Sequence, residues 1–470
     1  MEQRKRKVVI LGGGFGGLEA AKTLAAVDAE VLVIDKHNYH LFQPLLYQVA
    51  MAGLSPAEIA SPIRNILADQ KNVKVILGEV DRVDLDAKAV FIGETSIAYD
   101  HLIIAVGARN TFFGHDEWEI AAPGLKGIED ALEIRRRVLT AFEAAEREAD
   151  PTRRKDLLRF AVIGGGPTGV EMSGAIAELS RFVLSKDFRN VDPREAKVVL
   201  IEAGPRILNM FTPDLAAKGV EQLNELGVEV HAATRVVGID HTGVSVEMHD
   251  GEKKHIPAST VLWGAGVRAN EVTKHVGVPF DGNGRIIVGS DCALPGHPDA
   301  FAIGDAAHFE EDGELLPGVS PTAMQQGRYV AKIIASELHG ANAGRAERKP
   351  FKYFDKGSMA TIGRSRALAQ AGKIKLSGFI AWLAWLFIHV LYLVGFRNRY
   401  LVLFNWTWSY LSYGRGARLI TKTGWHPKQA LEDAKDAAPR ALPPPAPPAI
   451  PERSAAEPAP AAPSLPVHAS

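Results

Sequence analysis

One arrangement occurs twice in this chain and fixes most of what it can fold into: a β-branched run, a turn of spaced glycines, then a helical pattern. The first copy is "KVVILGGGFGGLEAAKTLA", with an apolar strand Val8 to Leu11, glycines at Gly12, Gly14 and Gly17, and a helical stretch from Leu18 to Ala25. The spacing has a physical meaning. Gly12 permits the tight turn, Gly14 lets backbone approach a pyrophosphate, and Gly17 allows the helix to pack closely on the strand. The helix N-terminus adds free N–H groups and positive dipole. The next strand, "EVLVID", ends at Asp35, where a carboxylate can accept from a ribose diol. The second copy, "LRFAVIGGGPTGVEMSGAIAEL", has strand Phe160 to Ile163 and glycines Gly164, Gly166 and Gly169. Its acid, Glu202, comes later than usual because "SRFVLSKDFRNVDPRE" intervenes, read here as a lengthened helix and loop. Two complete fingerprints imply two dinucleotides. Glu202 puts negative charge where a 2′-phosphate would sit, so the second site should prefer NADH to NADPH, with Arg206 close enough in sequence to weaken that preference.

Two more segments complete the first nucleotide fold. "YDHLIIAVGARN" ends a buried strand at Ala105-Val106-Gly107, and "DAFAIGDAAH" ends another at Gly304-Asp305. The latter lies far beyond the second fingerprint, which implies that one Rossmann-like unit is inserted in the other. The expected organisation is a split nucleotide-binding domain at 1–118 and 285–350 with a second nucleotide-binding domain inserted at 119–284. A C-terminal membrane-associating region follows at 351–430, and then a disordered Pro/Ala-rich tail at 437–470. The fold class is therefore α/β with two dinucleotide-binding domains and an amphipathic helical anchor. A formal net charge of −1 gives no global reason to expect nucleic acid. The basic start lacks a signal-peptide core, so the catalytic part is expected to stay in the cytoplasm. The single cysteine, Cys292, excludes CxxC redox pairs, cysteine zinc sites and iron–sulfur clusters, and no metal is expected.

The layout resembles the two-dinucleotide-binding flavoproteins, with FAD in the outer domain and NAD(P)H in the inserted one. Members that work through cysteine pairs are set aside by the cysteine count. Five further stretches are similar to the type II NADH:quinone oxidoreductases, single-subunit respiratory NADH dehydrogenases: "HNYHLFQPLLYQVA", "VLWGAGV", "LPGVSPTAMQQGRYVA", "FDKGSMATIGR" and "WLFIHVLYLVGFRNR". The resemblance implies that Gly12, Gly14, Gly17 and Asp35 hold the ADP part of FAD, while Val80, Ala105, Gly107, Gly304, Asp305 and Ala323 contact the rest. Gly164, Gly166, Gly169 and Glu202 would hold NADH, with Gly264 at the nicotinamide. Glu171 matches a family glutamate near the flavin–nicotinamide junction, implicated in quinone protonation; a first-turn acid complementing the helix dipole is the plain alternative. The family's Ala-Gln-x-Ala-x-Gln motif reads Ser320-Pro321-Thr322-Ala323-Met324-Gln325 here, so the first glutamine is a proline and Gln325 is the one expected at the flavin ring and quinone mouth. Phe42, Gln43, Pro44 and Tyr47 would line the same cavity, or Phe42 and Tyr47 simply pack. Hydride would pass from NADH to FAD and two electrons on to membrane quinone without proton pumping. A reductase of a ferredoxin-like acceptor, and a non-catalytic NADH sensor tethered to a membrane, are the competing readings.

The C-terminal third carries an uneven charge. From Lys356 to Leu431 there are eleven Lys/Arg and no Asp or Glu, with five of the chain's seven tryptophans between Trp382 and Trp425. Inside it, "LSGFIAWLAWLFIHVLYLVGF" at 376–396 has no charged residue and, as one helix, would reach about 31 Å. Lys373 and Lys375 flank one end and Arg397 and Arg399 the other, without the asymmetry of a spanning helix. The rings at Trp382, Trp385, His389, Tyr392 and Phe396 recur at helical spacing on one face. With the aromatic segment 400–419 behind it, the run is expected to lie in the interface of the inner membrane on its cytoplasmic face, against anionic headgroups, rather than to span. His389 is expected to be a packing residue. Homodimerisation is left open.

Overall fold

The computed structural model describes residues 4–339, 348–412 and 417–421. Its first sheet has six strands in the order Ala293–Leu294, His297–Ala302, His101–Ile104, Arg6–Leu11, Ala29–Asp35, Val73–Leu77. The continuous apolar run Val8–Leu11 fits a central strand covered on both faces, and these four residues are at most 1% exposed. It pairs in parallel with Ala29–Asp35 on one side and His101–Ile104 on the other. The strand that ends at Ala302 adds in parallel to His101–Ile104, aligning Ala300 with Leu102. Chain from beyond the second fingerprint therefore returns to finish the first sheet, as the split arrangement requires.

The second sheet is built from Val228–His231, Lys197–Ile201, Arg159–Ile163 and Thr260–Trp263, in that order and all parallel. Each half also carries a three-stranded antiparallel excursion: Arg82–Asp84, Ala89–Ile92 and Thr95–Ala98 in the first, Thr234–Asp240, Gly243–Met248 and Lys253–Pro257 in the second. The late arrival of Glu202 has a local cause. The fingerprint helix Pro167–Glu178 runs on into a π-helical turn, Leu179–Val183, and a 3-10 turn, Leu184–Lys186, before the chain folds back to Lys197–Ile201.

After the long helix Ser320–His339, three antiparallel strands, Ser358–Thr361, Ala367–Ala371 and Ile374–Gly378, precede two helices, Phe379–Tyr392 and Phe396–Ser412. The apolar run 376–396 is thus not one helix. Its first three residues finish a strand, Gly378 takes a positive φ of 71°, and Gly395 takes 89°, which turns the chain between the two helices. Among the described residues no helix is long and apolar enough to cross a membrane. The face carrying Trp385 and His389 turns inward: Ala381 and Trp385 are buried, and Trp382 and Leu386 pack against the same core as the second sheet. The outward face is aliphatic and phenyl instead, with Ile380 66%, Leu383 46%, Phe387 68% and Leu391 54% exposed. The second helix adds Tyr400 and Phe404. Lys422, Trp425, Lys428 and the tail 437–470 lie outside the described residues.

Candidate functional site: two nucleotide cradles and the junction between them

Both fingerprints close in the same way. Gly12 has φ +99° and a Cβ there would stand 2.4 Å from the Ala105 carbonyl oxygen; Gly164 has φ +106° and a Cβ would stand 2.6 Å from the Gly264 carbonyl carbon. Side chains at Gly17 or Gly169 would meet the Gly12 or Gly164 carbonyl at 1.9 and 1.8 Å. At Gly14 and Gly166, by contrast, a Cβ would meet nothing within 4 Å. The outer glycines are needed by the fold and the middle ones face open space at the helix N-terminus, where backbone N–H groups can receive a pyrophosphate. That is the fit expected of a dinucleotide.

The acids also serve the loops. Asp35 accepts from Gly13 N at 2.6 Å and His37 N at 2.7 Å; Glu202 accepts from Gly165 N at 2.5 Å and Gly204 N at 2.6 Å. Arg206 is held by Asn209 rather than by Glu202, with its Nε donating to Asn209 Oδ1 and its Nη2 to the Asn209 carbonyl. His40 grips the first loop from the other side, its Nδ1 donating to the Gly13 carbonyl at 3.0 Å.

The helix Ser320–His339 crosses the first fingerprint helix, Phe15–Thr23, closely. A Cβ on Gly327 would fall 2.3 Å from the Gly16 carbonyl, and one on Gly304 2.9 Å from the Ala323 Cβ. Gly304 (φ +64°) has its N–H held by Gln326 Oε1 at 2.7 Å. Gln325 is committed elsewhere: its amide donates to the Phe354 carbonyl and accepts from the Phe354 N–H, both at 3.0 Å. So Gln326, which no motif singled out, reaches the Gly304–Asp305 loop, while Gln325 clamps the approach to the C-terminal strands. Asp305 has an unexpected neighbour in Lys126; burial pushes the Lys126 amine down, and the Asp305 charge pulls it back up. Gly107 (φ +69°) accepts from Asn270 N at 3.0 Å, joining the two halves, and Val80 packs under the first sheet.

Glu171 sits just past the first turn of the second fingerprint helix, Pro167–Glu178, and it is not a solvated dipole partner. It is only partly accessible, and burial pushes its carboxyl up to about 8, with hydrogen bonds from Thr361 pulling the other way. The Thr361 N–H lies 3.4 Å away. Thr361 Oγ1 meets the Tyr47 hydroxyl at 2.9 Å, and Gln48 Nε2 donates to that hydroxyl at 3.0 Å. Trp406 Nε1 then donates to Gln48 Oε1 at 2.7 Å. Arg135 fixes this corner by donating to the carbonyls of Val49 and Leu54, each at 2.8 Å. Tyr47 is therefore more than packing, whereas Phe42, 3% exposed, is a core ring against Phe15. His389 packs as expected: it stacks on Trp385 at 4.2 Å, its Nδ1 donates to the Trp385 carbonyl, and burial holds it down to about 4.

Two linked nucleotide cradles with an acid-bearing junction define a flavin- and nicotinamide-dependent oxidoreductase. The family profile "Pyridine nucleotide-disulphide oxidoreductase" matches residues 6–327, and "NDH2 C-terminal domain" matches 356–415. The chain is 44% identical over 443 residues to the type II NADH:quinone oxidoreductase Ndh of Mycobacterium tuberculosis, covering 93% of this chain and 94% of that one. It is 33% identical to the type II NADH:quinone oxidoreductase of Staphylococcus haemolyticus, over 77% and 89% of the two chains. The NDH2 structure from Plasmodium falciparum in complex with NADH superposes with a TM-score of 0.80 at 21% identity, over 89% of this chain and 100% of that one. This chain belongs to the type II NADH:quinone oxidoreductases. Its cofactors are FAD and NADH/NAD.

Proposed function

We propose that this chain oxidises NADH at the second cradle and reduces a quinone dissolved in a bilayer, on which it rests by the outer face of its C-terminal helices. The supporting observation is that exposed face. Ile380, Phe387, Leu391, Tyr400 and Phe404 stand in solvent on helices whose inner face belongs to the protein core, and a continuous apolar patch of this kind marks an interaction surface. A lipid surface is the occupant chosen here, because quinone dissolves there and the surrounding region is basic. The cytoplasmic face of the inner membrane follows from where NADH is found.

FAD held in the first cradle would supply the two-electron chemistry that links NADH to quinone. The residues do the rest. In the split domain 1–118 and 285–350, Gly12, Gly14, Gly17 and Asp35 hold the adenylate end. Val80, Ala105, Gly107, Gly304, Asp305, Ala323 and, through its grip on Gly304, Gln326 shape the remainder. In 119–284, Gly164, Gly166, Gly169 and Glu202 hold NADH, with Gly264 against the fingerprint. Glu171, neutral at pH 7 because burial raises it to about 8, donates a proton to the reduced quinone. Gln325 shapes the quinone mouth through Phe354.

The test is stopped-flow absorbance with enzyme in lipid vesicles. NADH should bleach the flavin, and quinone in the bilayer should restore it faster than a ferredoxin-type protein in solution. Faster recovery with the soluble protein would overturn the membrane-quinone reading, and no bleaching would sink catalysis altogether.

A further inference from the structure

Four polar contacts run in series from the second C-terminal helix to Glu171, and their direction is set from the outer end. An indole N–H can only donate, so Trp406 obliges Gln48 to face it with Oε1. The Gln48 amino group must then face Tyr47, and it donates to the phenol oxygen. That oxygen is now accepting, and a phenol has one hydrogen to give. It turns to Thr361 Oγ1. Thr361 is left with its own hydroxyl hydrogen and its backbone N–H for the Glu171 carboxyl. The middle of this series is interior, with Tyr47 8% and Thr361 2% exposed, while Gln48, Trp406 and Glu171 are partly accessible. A buried network of this kind is valuable only when every member is satisfied, and here each member has its partner.

We propose that Thr361 and Tyr47 are positioning residues for Glu171, and that Gln48 and Trp406 set the direction of their hydroxyls, so that the seating of the second C-terminal helix governs how Glu171 holds its proton. This rests on the reading of Glu171 as the proton donor to quinone. Quinone plus two electrons and two protons gives quinol. Glu171 supplies one proton and regains it from water at its accessible side, and the hydrogen that leaves NADH with its electron pair supplies the other, so one proton is taken up per quinol. The carboxylate left behind is met at once by donors already aimed at it. The charged groups at this corner include Arg135, whose guanidinium donates to the Val49 and Leu54 carbonyls, and Glu178 on the Glu171 helix, whose carboxylate accepts from the Arg364 N–H and acts on Tyr47, as Glu171 itself does.

The experiment is the pH profile of quinone reduction by the full chain in lipid, with a short-chain benzoquinone as acceptor and ferricyanide as the comparison. Thr361→Val removes a donor from the carboxylate. The alkaline limb should move to higher pH, and the quinone rate should fall about tenfold relative to the ferricyanide rate. Thr361→Ser, which keeps the hydroxyl, should restore both. Tyr47→Phe and Trp406→Phe should move the limb in the same direction by progressively less. A Thr361→Val profile that overlays the parent, or a serine variant no better than valine, would overturn the proposal. Glu171→Gln separates it from the reading beneath: if that variant keeps the alkaline limb, the role of Glu171 fails. If it abolishes the limb while Thr361→Val leaves it in place, only the positioning role fails.

Discussion

Gly17 and Gly169 show how narrow the tolerance is at single positions. A methyl group at either would overlap a carbonyl oxygen of the same turn, and neither backbone can give way without moving the helix off its strand. Gly17→Ala should therefore cost ~3 kcal/mol, read as a lower denaturation midpoint together with lost flavin absorbance in the purified protein. A variant that keeps full flavin and an unchanged midpoint would show that the turn is looser than its geometry. Glu202 is a different case, because it is the acid proposed for the ribose and it also holds the Gly165 and Gly204 N–H groups. Glu202→Gly should raise the NADH KM by roughly tenfold or more with little change in kcat, since a hydrogen bond to a charged group is lost in ground and transition state alike. It should also raise the ratio of NADPH to NADH turnover, as the negative charge no longer repels a 2′-phosphate. Steady-state kinetics with both nucleotides measures this, and an unchanged KM would remove Glu202 from the site. The glycines and Asp35 stand at a spacing that has one mechanical reading, whereas Glu202 comes late and is picked out in the sequence only as the acid that ends the matching strand.

At the scale of elements, the C-terminal helices divide into a face that belongs to the fold and a face that does not. Trp385, Leu393 and Val402 are 2% exposed or less, and Asn398 donates to Ser61 Oγ at 3.1 Å, tying the second helix to the first domain. Removing the pair outright would uncover the core. The sharper test leaves the inner face intact: Phe387→Glu with Leu391→Glu should weaken binding to anionic vesicles by about a hundredfold, measured by flotation, with the thermal midpoint in detergent unchanged. Equal flotation by the parent and the double variant would refute the lipid-facing assignment. Part of the basic character that suggested headgroup binding is spent inside the protein. Lys375 pairs with Asp214 at 2.9 Å, Arg366 with Glu225 at 2.8 Å, and Arg399 donates to the Leu393 carbonyl at 2.7 Å. Ring periodicity located a single face in the sequence. Only packing shows that its Trp382, Trp385 and His389 turn inward while Tyr392 stays 39% exposed, because an aromatic stripe reads the same whether its neighbour is lipid or protein.

For the whole molecule, the decisive relation is between the nucleotide cradles and the C-terminal helices. Glu171 is raised to about 8 by burial, so at pH 7 it is protonated and able to donate. Above that value it ionises, and quinone reduction should fall while ferricyanide reduction, which needs no proton at the acceptor, does not follow it. Parallel pH profiles for the two acceptors would argue against Glu171 as donor. The sequence alone determined the two cradles, the split of the first domain and the basic, aromatic C-terminus, because these are carried by local spacing and by the order of strands along the chain. Tertiary structure alone decided three things: that the apolar run is broken by Gly378 and Gly395, that Gln326 rather than Gln325 holds the Gly304 loop, and that Glu171 is linked through Thr361, Tyr47 and Gln48 to Trp406. The links from Thr361 to Glu171 and to Tyr47 and from Trp406 to Gln48 span 190, 314 and 358 positions. No local pattern encodes them, and they exist only once the sheets and helices have packed.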